Sequence, residues 1–118
     1  MYVASGQMDQ ARETFLFALR LSPEDASVNS SLAELELASG DPKKALVYLQ
    51  KAVQKRPKNP RYLDFYIDVA LQTGALKEAR KGLQTLKEVN PENKKIQEFE
   101  ERLDQKKAEY VNKTSLDS

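Results

Sequence analysis

The sequence predicts an all-α fold in which helix pairs stack as a right-handed helix-turn-helix repeat solenoid, closed by a C-terminal capping helix. The first observation behind this prediction is a period of 34 residues in a chain of 118. Glycine, alanine, proline and a large apolar residue each recur three times at that spacing, which indicates internal repetition: Gly6, Gly40 and Gly74; Ala11, Ala45 and Ala79; Pro23, Pro57 and Pro91; Phe15, Leu49 and Leu83. The second observation is that apolar residues within each repeat follow the i, i+3, i+4, i+7 spacing of an amphipathic helix, whereas no stretch of useful length alternates like a strand.

Capping residues and helix breakers set the boundaries of the elements. Gly40 ends one helix, and Asp41 followed by Pro42 begins the next as N-cap and first helical residue. Asn59 before Pro60 repeats this arrangement. The predicted helices are 7–21, 26–38, 42–55, 60–72, 76–89 and 94–111. They group into a partial first repeat (1–25), two full repeats (26–59 and 60–93), a capping helix (94–111) and a flexible tail (112–118).

In the last predicted helix, polar residues occupy the positions that would pack against the second helix of the same repeat if that repeat were complete. Its apolar residues share one face: Ile96, Phe99, Leu103 and Tyr110. The opposing positions carry Gln97, Glu100, Glu101 and Asp104. A terminal repeat needs such a polar outer face, so we interpret this helix as a cap. A coiled-coil strand is the alternative, but its heptads would meet Lys106 or Lys107 after two turns.

Composition excludes several classes of function. The chain has no Cys, His or Trp, which rules out Cys/His zinc sites, thiol nucleophiles and Ser-His-Asp triads. Asp64 and Asp68 lie one helical turn apart and could hold a cation, but no second cluster supports them. We therefore predict no catalytic residue, no metal and no cofactor.

Charge and hydropathy also limit the classes of binding partner that the sequence predicts. The net charge of +1 provides no general attraction to nucleic acid, and the basic segment 50–61 ends a helix, where cations favour the helix dipole. No apolar run has the length of a membrane span, so direct membrane insertion is not expected. The absence of cysteine suits cytoplasm and periplasm equally, so the location stays open.

The positions on the 34-residue period resemble the tetratricopeptide repeat (TPR) family across residues 1–93. The residues that carry the resemblance are Tyr2, Gly6, Ala11, Phe15, Ala18, Pro23, Leu32, Ala33, Gly40, Ala45, Leu49, Ala52, Pro57, Leu63, Tyr66, Ile67, Ala70, Gly74, Ala79, Leu83 and Pro91. The third repeat departs from the family pattern at Ile67, Gly82 and Leu86, and a glycine inside a helix costs about 1 kcal/mol relative to alanine. The resemblance implies a non-catalytic protein-interaction scaffold.

In TPR proteins the first helix of each pair, here called the leading helix, lines a concave groove that accepts a peptide. The resemblance places nine residues there: Ser27, Ser30, Glu34, Leu37, Arg61, Asp64, Phe65, Asp68 and Leu71. The three acidic residues among them favour a basic or amphipathic peptide. The alternative is that they are the ordinary solvated carboxylates of an exposed helix face. Binding of a chaperone C-terminal carboxylate is not expected, because only Arg61 could contact it.

The first repeat retains only Met1–Ser5 of its leading helix, so a stripe of Ala11, Phe15 and Ala18 lacks cover. Two explanations remain open. The chain is a C-terminal piece of a longer repeat protein, or two copies associate through this end, which would make the chain a structural assembly module.

Overall fold

A computed structural model describes the backbone of residues 5–116 and the side chains of residues 6–109. This range contains six helices and no strand: α1 (Ser5–Leu21), α2 (Ala26–Ala38), α3 (Pro42–Lys55), α4 (Pro60–Thr73), α5 (Leu76–Val89) and α6 (Lys95–Leu116). The chain divides into two compact units, unit 1 (Met1–Pro57) with α1 to α3 and unit 2 (Lys58–Ser118) with α4 to α6. The all-α prediction is confirmed. Tyr2 and the rest of segment 1–4 lie outside the described residues.

Side-chain caps start four of the helices, and three of these begin at the predicted residue. The Asp25 carboxylate accepts from the Val28 N–H at 3.1 Å, and Asp41 accepts from the Lys44 N–H at 3.1 Å. Asn59 and Asn93 cap α4 and α6 in the same way. The Val28 N–H, together with the Ser27 hydroxyl, holds the pKa of Asp25 below its ordinary value. These bonds satisfy N–H groups that have no partner within the helix.

Glycine ends α2 and α4 by the same turn. Gly40 and Gly74 have φ values of +87° and +79°, a backbone conformation that residues with a Cβ rarely adopt. After Gly40 the Asp41 N–H donates to the Glu36 carbonyl at 2.8 Å, and after Gly74 the Ala75 N–H donates to the Ala70 carbonyl at 2.8 Å. This bond pattern is the Schellman motif, and it turns the chain into the second helix of each pair.

The core of unit 1 lies between α2 and α3, with α1 packed against α2. Small residues are prominent in it, which allows the two helix axes to approach closely. Its buried apolar residues are Ala26, Leu32, Ala33, Ala45, Leu46, Leu49 and Ala52.

Unit 2 packs α4 against α5 and places α6 against both. Its buried apolar residues are Leu63, Tyr66, Ile67, Val69, Ala70, Leu71, Ala79, Leu83, Leu86, Phe99 and Leu103. Gly82 is buried between α4 and α5, where an added Cβ would lie 2.9 Å from Ile67 Cγ1 and 3.1 Å from Tyr66 Cδ2. The glycine that weakens α5 in terms of helix propensity therefore makes room for the two large side chains on α4.

Helix α6 differs from its predicted bounds. It begins one residue later and continues to Leu116, so residues 112–116, predicted as part of a flexible tail, are helical. No glycine or proline follows Pro91, and nothing in the sequence stops the helix at residue 111. Phe99 and Leu103 are buried in unit 2, while Gln97, Glu101 and Asp104 are exposed. Glu100, the fourth predicted polar position, is half-buried, and its carboxylate lies 2.8 Å from Lys87 Nζ.

Candidate protein-interaction surface

The leading helix of unit 1 exposes an acidic side chain without a partner. Ser27, Ser30, Glu34 and Leu37 recur along α2 at helical spacing. Glu34 is exposed and makes no hydrogen bond or ion pair with any described residue, whereas Ser30 and Leu37 are half-buried. The Ser27 hydroxyl donates to the Asp25 carboxylate at 2.9 Å, so this residue supports the helix cap. The face therefore combines a free carboxylate with partly accessible apolar and hydroxyl groups.

The leading helix of unit 2 differs, because its two acidic side chains are paired, one with a residue of α6 and one with a residue of the turn before it. Asp68 Oδ1 lies 2.6 Å from Arg102 Nη1, and the Asn93 amide donates to both oxygens of Asp64 at 3.1 and 3.3 Å. The Gln72 amide also donates to Asp68, at 3.3 Å. All three partners reduce the capacity of these carboxylates to attract a basic ligand.

The remaining predicted groove residues of unit 2 are not equally accessible. Arg61 is exposed and Phe65 is half-buried. Leu71 has no exposed surface and belongs to the core. Leu71 was expected among the groove residues, but in this structure its side chain has no accessible surface with which to contact a peptide.

Sequence reasoning missed a buried charge on α2. Glu36 is 3% exposed, and its carboxylate accepts a hydrogen bond from Arg12 Nε at 2.9 Å, with Lys44 Nζ at 3.9 Å. The hydrogen bond to Glu36 raises the pKa of Arg12 above its ordinary value. This pair joins α1 to α2 inside unit 1. The sequence did contain one indication of this buried charge, because Glu36 occupies the repeat position at which the next repeat has Ala70.

The predicted self-association stripe is partly covered. Ala11, Phe15 and Ala18 are all half-buried. The most exposed apolar side chains of α1 are instead Phe17 and Leu21, with 60% and 75% of their surface accessible. The uncovered face of α1 thus lies beside the stripe that the sequence indicated.

The basic segment is already partly neutralised within unit 1. Lys55 Nζ lies 3.4 Å from a Glu24 carboxylate oxygen, across an open cleft of about 350 Å³ that Pro23, Lys51 and Gln54 also line. Among the described residues, no group of three or more acidic, His or Cys side chains could hold a metal ion. None of the described helices has both the length and the apolar character needed to cross a bilayer.

Comparison with known proteins supports the repeat architecture. The family model for the Tetratricopeptide repeat matches residues 2–64 and 36–103. The type III secretion chaperone SycD of Yersinia enterocolitica, solved in complex with a peptide of the translocator YopD, has a similar structure, with a TM-score of 0.63 at 24% sequence identity. The similarity covers 92% of this chain and 84% of that one. No curated protein matches the sequence.

Proposed function

Because the chain belongs to the tetratricopeptide repeat family, we propose that it is a non-catalytic scaffold that binds a peptide segment of a partner protein. Repeats of this family form protein-interaction surfaces and are typically non-catalytic. The SycD complex, in which a similarly folded chain is solved with a translocator peptide, supports a peptide as the class of ligand.

The binding face in this proposal is that of α2 in unit 1. One observation carries it: Glu34 is an exposed carboxylate with no partner in the described residues. Asp64 and Asp68, in contrast, are already paired with the turn before α6 and with α6 itself. A free carboxylate can accept a cation from a ligand without first breaking an internal ion pair. Leu37, three residues further along the helix, adds a half-buried apolar contact on the same side.

The chemistry of this face selects a peptide with a cation next to an apolar residue. A lysine or arginine would pair with Glu34, and a neighbouring leucine or phenylalanine would contact Leu37. An exposed pair of this kind contributes about 0.2–1 kcal/mol and weakens with salt, so it provides selectivity more than affinity. In unit 2, Arg61 is exposed and Phe65 is half-buried.

The experiment is a nuclear magnetic resonance titration of the full chain with a synthetic amphipathic peptide of Lys and Leu. A second peptide with Glu in place of each Lys reverses the ligand charge. We expect the basic peptide to shift the amide signals of Ser30, Glu34 and Leu37, and Glu34→Lys to weaken binding by roughly three- to fivefold, the effect of one exposed ion pair. Glu88→Lys makes the same charge change at an exposed site on α5 and should leave the affinity unchanged.

Two results would contradict this assignment. Equal weakening by Glu34→Lys and Glu88→Lys would mean that only net charge matters. A larger loss for Asp68→Lys than for Glu34→Lys, with the fold intact by circular dichroism, would move the binding face to unit 2.

A further inference from the structure

The exposed face of α1 is a continuous stripe of five residues. Positions 13, 16, 17, 20 and 21 follow the i, i+3, i+4, i+7, i+8 spacing of one helix face, and all five side chains are exposed. Leu16, Phe17 and Leu21 have 37%, 60% and 75% of their surface accessible. Single apolar residues at a surface need no explanation, but three adjacent ones on one stripe mark an interaction surface.

Two opposite charges lie on this stripe, one on either side of Leu16 and Phe17. Glu13 lies toward the N-terminal end of the stripe and Arg20 toward its C-terminal end, and neither makes an ion pair with a described residue. Opposite charges seven residues apart make the stripe complementary to itself when a second α1 runs antiparallel to it. A parallel pairing would instead place like charges together.

We propose that a second copy of this chain covers the exposed face of α1 in an antiparallel pairing with two-fold symmetry. With the symmetry axis between Leu16 and Phe17, Leu16 of each copy faces Phe17 of the other. The same register places Glu13 of each copy against Arg20 of the other, on either side of the contacts between Leu16 and Phe17. The proposal uses α1 rather than α2, so it is independent of peptide binding.

The size of the patch determines the strength of the pairing. One helix face per partner buries less than the roughly 1,000 Å² that specific stable interfaces exceed, so the dimer should be transient, with a dissociation constant in the micromolar range or weaker. Its stability should fall with rising salt, because two exposed ion pairs contribute to it.

Sedimentation velocity of the full chain across a wide concentration range tests the pairing. The average mass should rise with concentration toward that of a dimer, and Phe17→Ser should raise the dissociation constant at least about tenfold, because it removes the central apolar contacts. Val47→Ser is the matched control, since Val47 is 51% exposed on α3 of the same unit and lies outside the stripe. A monomer at every concentration, or equal effects of the two variants, overturns the proposal.

A charge exchange tests the antiparallel register. Glu13→Arg alone and Arg20→Glu alone should each associate less than the original chain, because like charges then meet twice. An equimolar mixture of the two variants should associate again, since every facing pair in the mixed dimer has opposite charges. If the mixture associates no better than either variant alone, the proposed pairing is wrong.

Discussion

The two helix pairs follow the same 34-residue plan but distribute side-chain volume in opposite ways. Unit 1 has Ala33 on its leading helix and Tyr48 on its second helix. At the equivalent positions of unit 2, Ile67 stands on the leading helix and Gly82 on the second, close enough that a Cβ would collide. The residue types change, yet each pair combines one large and one small residue. Packing between helices constrains their combined volume more than either residue alone.

A second difference concerns charge in the core. Unit 1 buries Glu36, joined to Arg12 at 2.9 Å, where unit 2 has Ala70 with no exposed surface. A methyl group at this position needs no partner, whereas a carboxylate needs a cation held close to it. The stability of unit 1 therefore depends on the arginine that α1 supplies to Glu36. In unit 2 the alanine at the equivalent position needs no such partner.

The largest predicted effect comes from removing the cation that faces Glu36. Arg12→Met leaves the buried carboxylate with only Lys44, at 3.9 Å, and should lower the free energy of unfolding by about 3 kcal/mol. Urea denaturation followed by circular dichroism measures the change. Asp9→Asn removes only the exposed Asp9 partner of Arg12 and should cost less than about 0.5 kcal/mol.

Combining Arg12→Met with Glu36→Ala should restore more than half of the lost stability, because the unpaired charge is then absent. A cost below about 1 kcal/mol for Arg12→Met would show that this pair is no stronger than an exposed one.

The second prediction concerns the space that Gly82 on α5 leaves for Ile67 on α4. Gly82→Ala gains about 1 kcal/mol of helix propensity but inserts a methyl group 2.9 Å from Ile67 Cγ1, which costs about 1–3 kcal/mol. We expect a net loss of about 1 kcal/mol in the free energy of unfolding. Gly6→Ala is the matched control, because a Cβ at Gly6 meets nothing within 4 Å, and that variant should not lose stability.

Ile67→Ala creates a cavity that the Gly82→Ala methyl group can partly fill. The cost of the double variant should be smaller than the sum of the two single costs by at least about 0.5 kcal/mol. Additive effects within experimental error would mean that the two positions do not share their volume.

The smallest predicted effect compares the starts of the second helices. Asp41 caps α3, but its counterpart Ala75 provides no side-chain cap for α5. Ala75→Asp should raise the free energy of unfolding by about 0.5–1 kcal/mol, and Asp41→Ala should lower it by a similar amount. Thermal unfolding of both variants tests this symmetry. No gain from Ala75→Asp would show that this turn cannot present a capping carboxylate to α5.

Local chemistry made most of the helix boundaries predictable. Gly40, Asp41 and Pro42 mark the end of α2 and the start of α3 within four residues of chain, so neighbouring residues alone define the turn. The end of α6 was missed because no such residue follows it. The fold class was predictable from the 34-residue period, since residues at equivalent positions of successive repeats adopt the same secondary structure.

The environment of the site depends on residues distant in sequence and was less predictable. The sequence placed Asp64 and Asp68 on one helix face, but their pairing with Asn93 and Arg102 requires α6 to lie against α4. One signal was available. Arg102 follows Asp68 by 34 residues, so opposite charges occupy the same position of successive repeats. The complete burial of Leu71 was not predicted, because residue spacing on a single helix does not reveal which other helices cover a side chain.

Asn93 illustrates how one amide can serve two helices. Its oxygen accepts from the Lys95 N–H at 2.8 Å and starts α6, while its nitrogen donates to the Asp64 carboxylate. Aspartate would be an equally good cap in isolation, but here it would place a second negative charge against Asp64. The preference for asparagine over aspartate at the start of α6 therefore depends on Asp64, which lies about thirty residues earlier in the chain. A capping residue can thus be selected by a side chain that is distant in sequence.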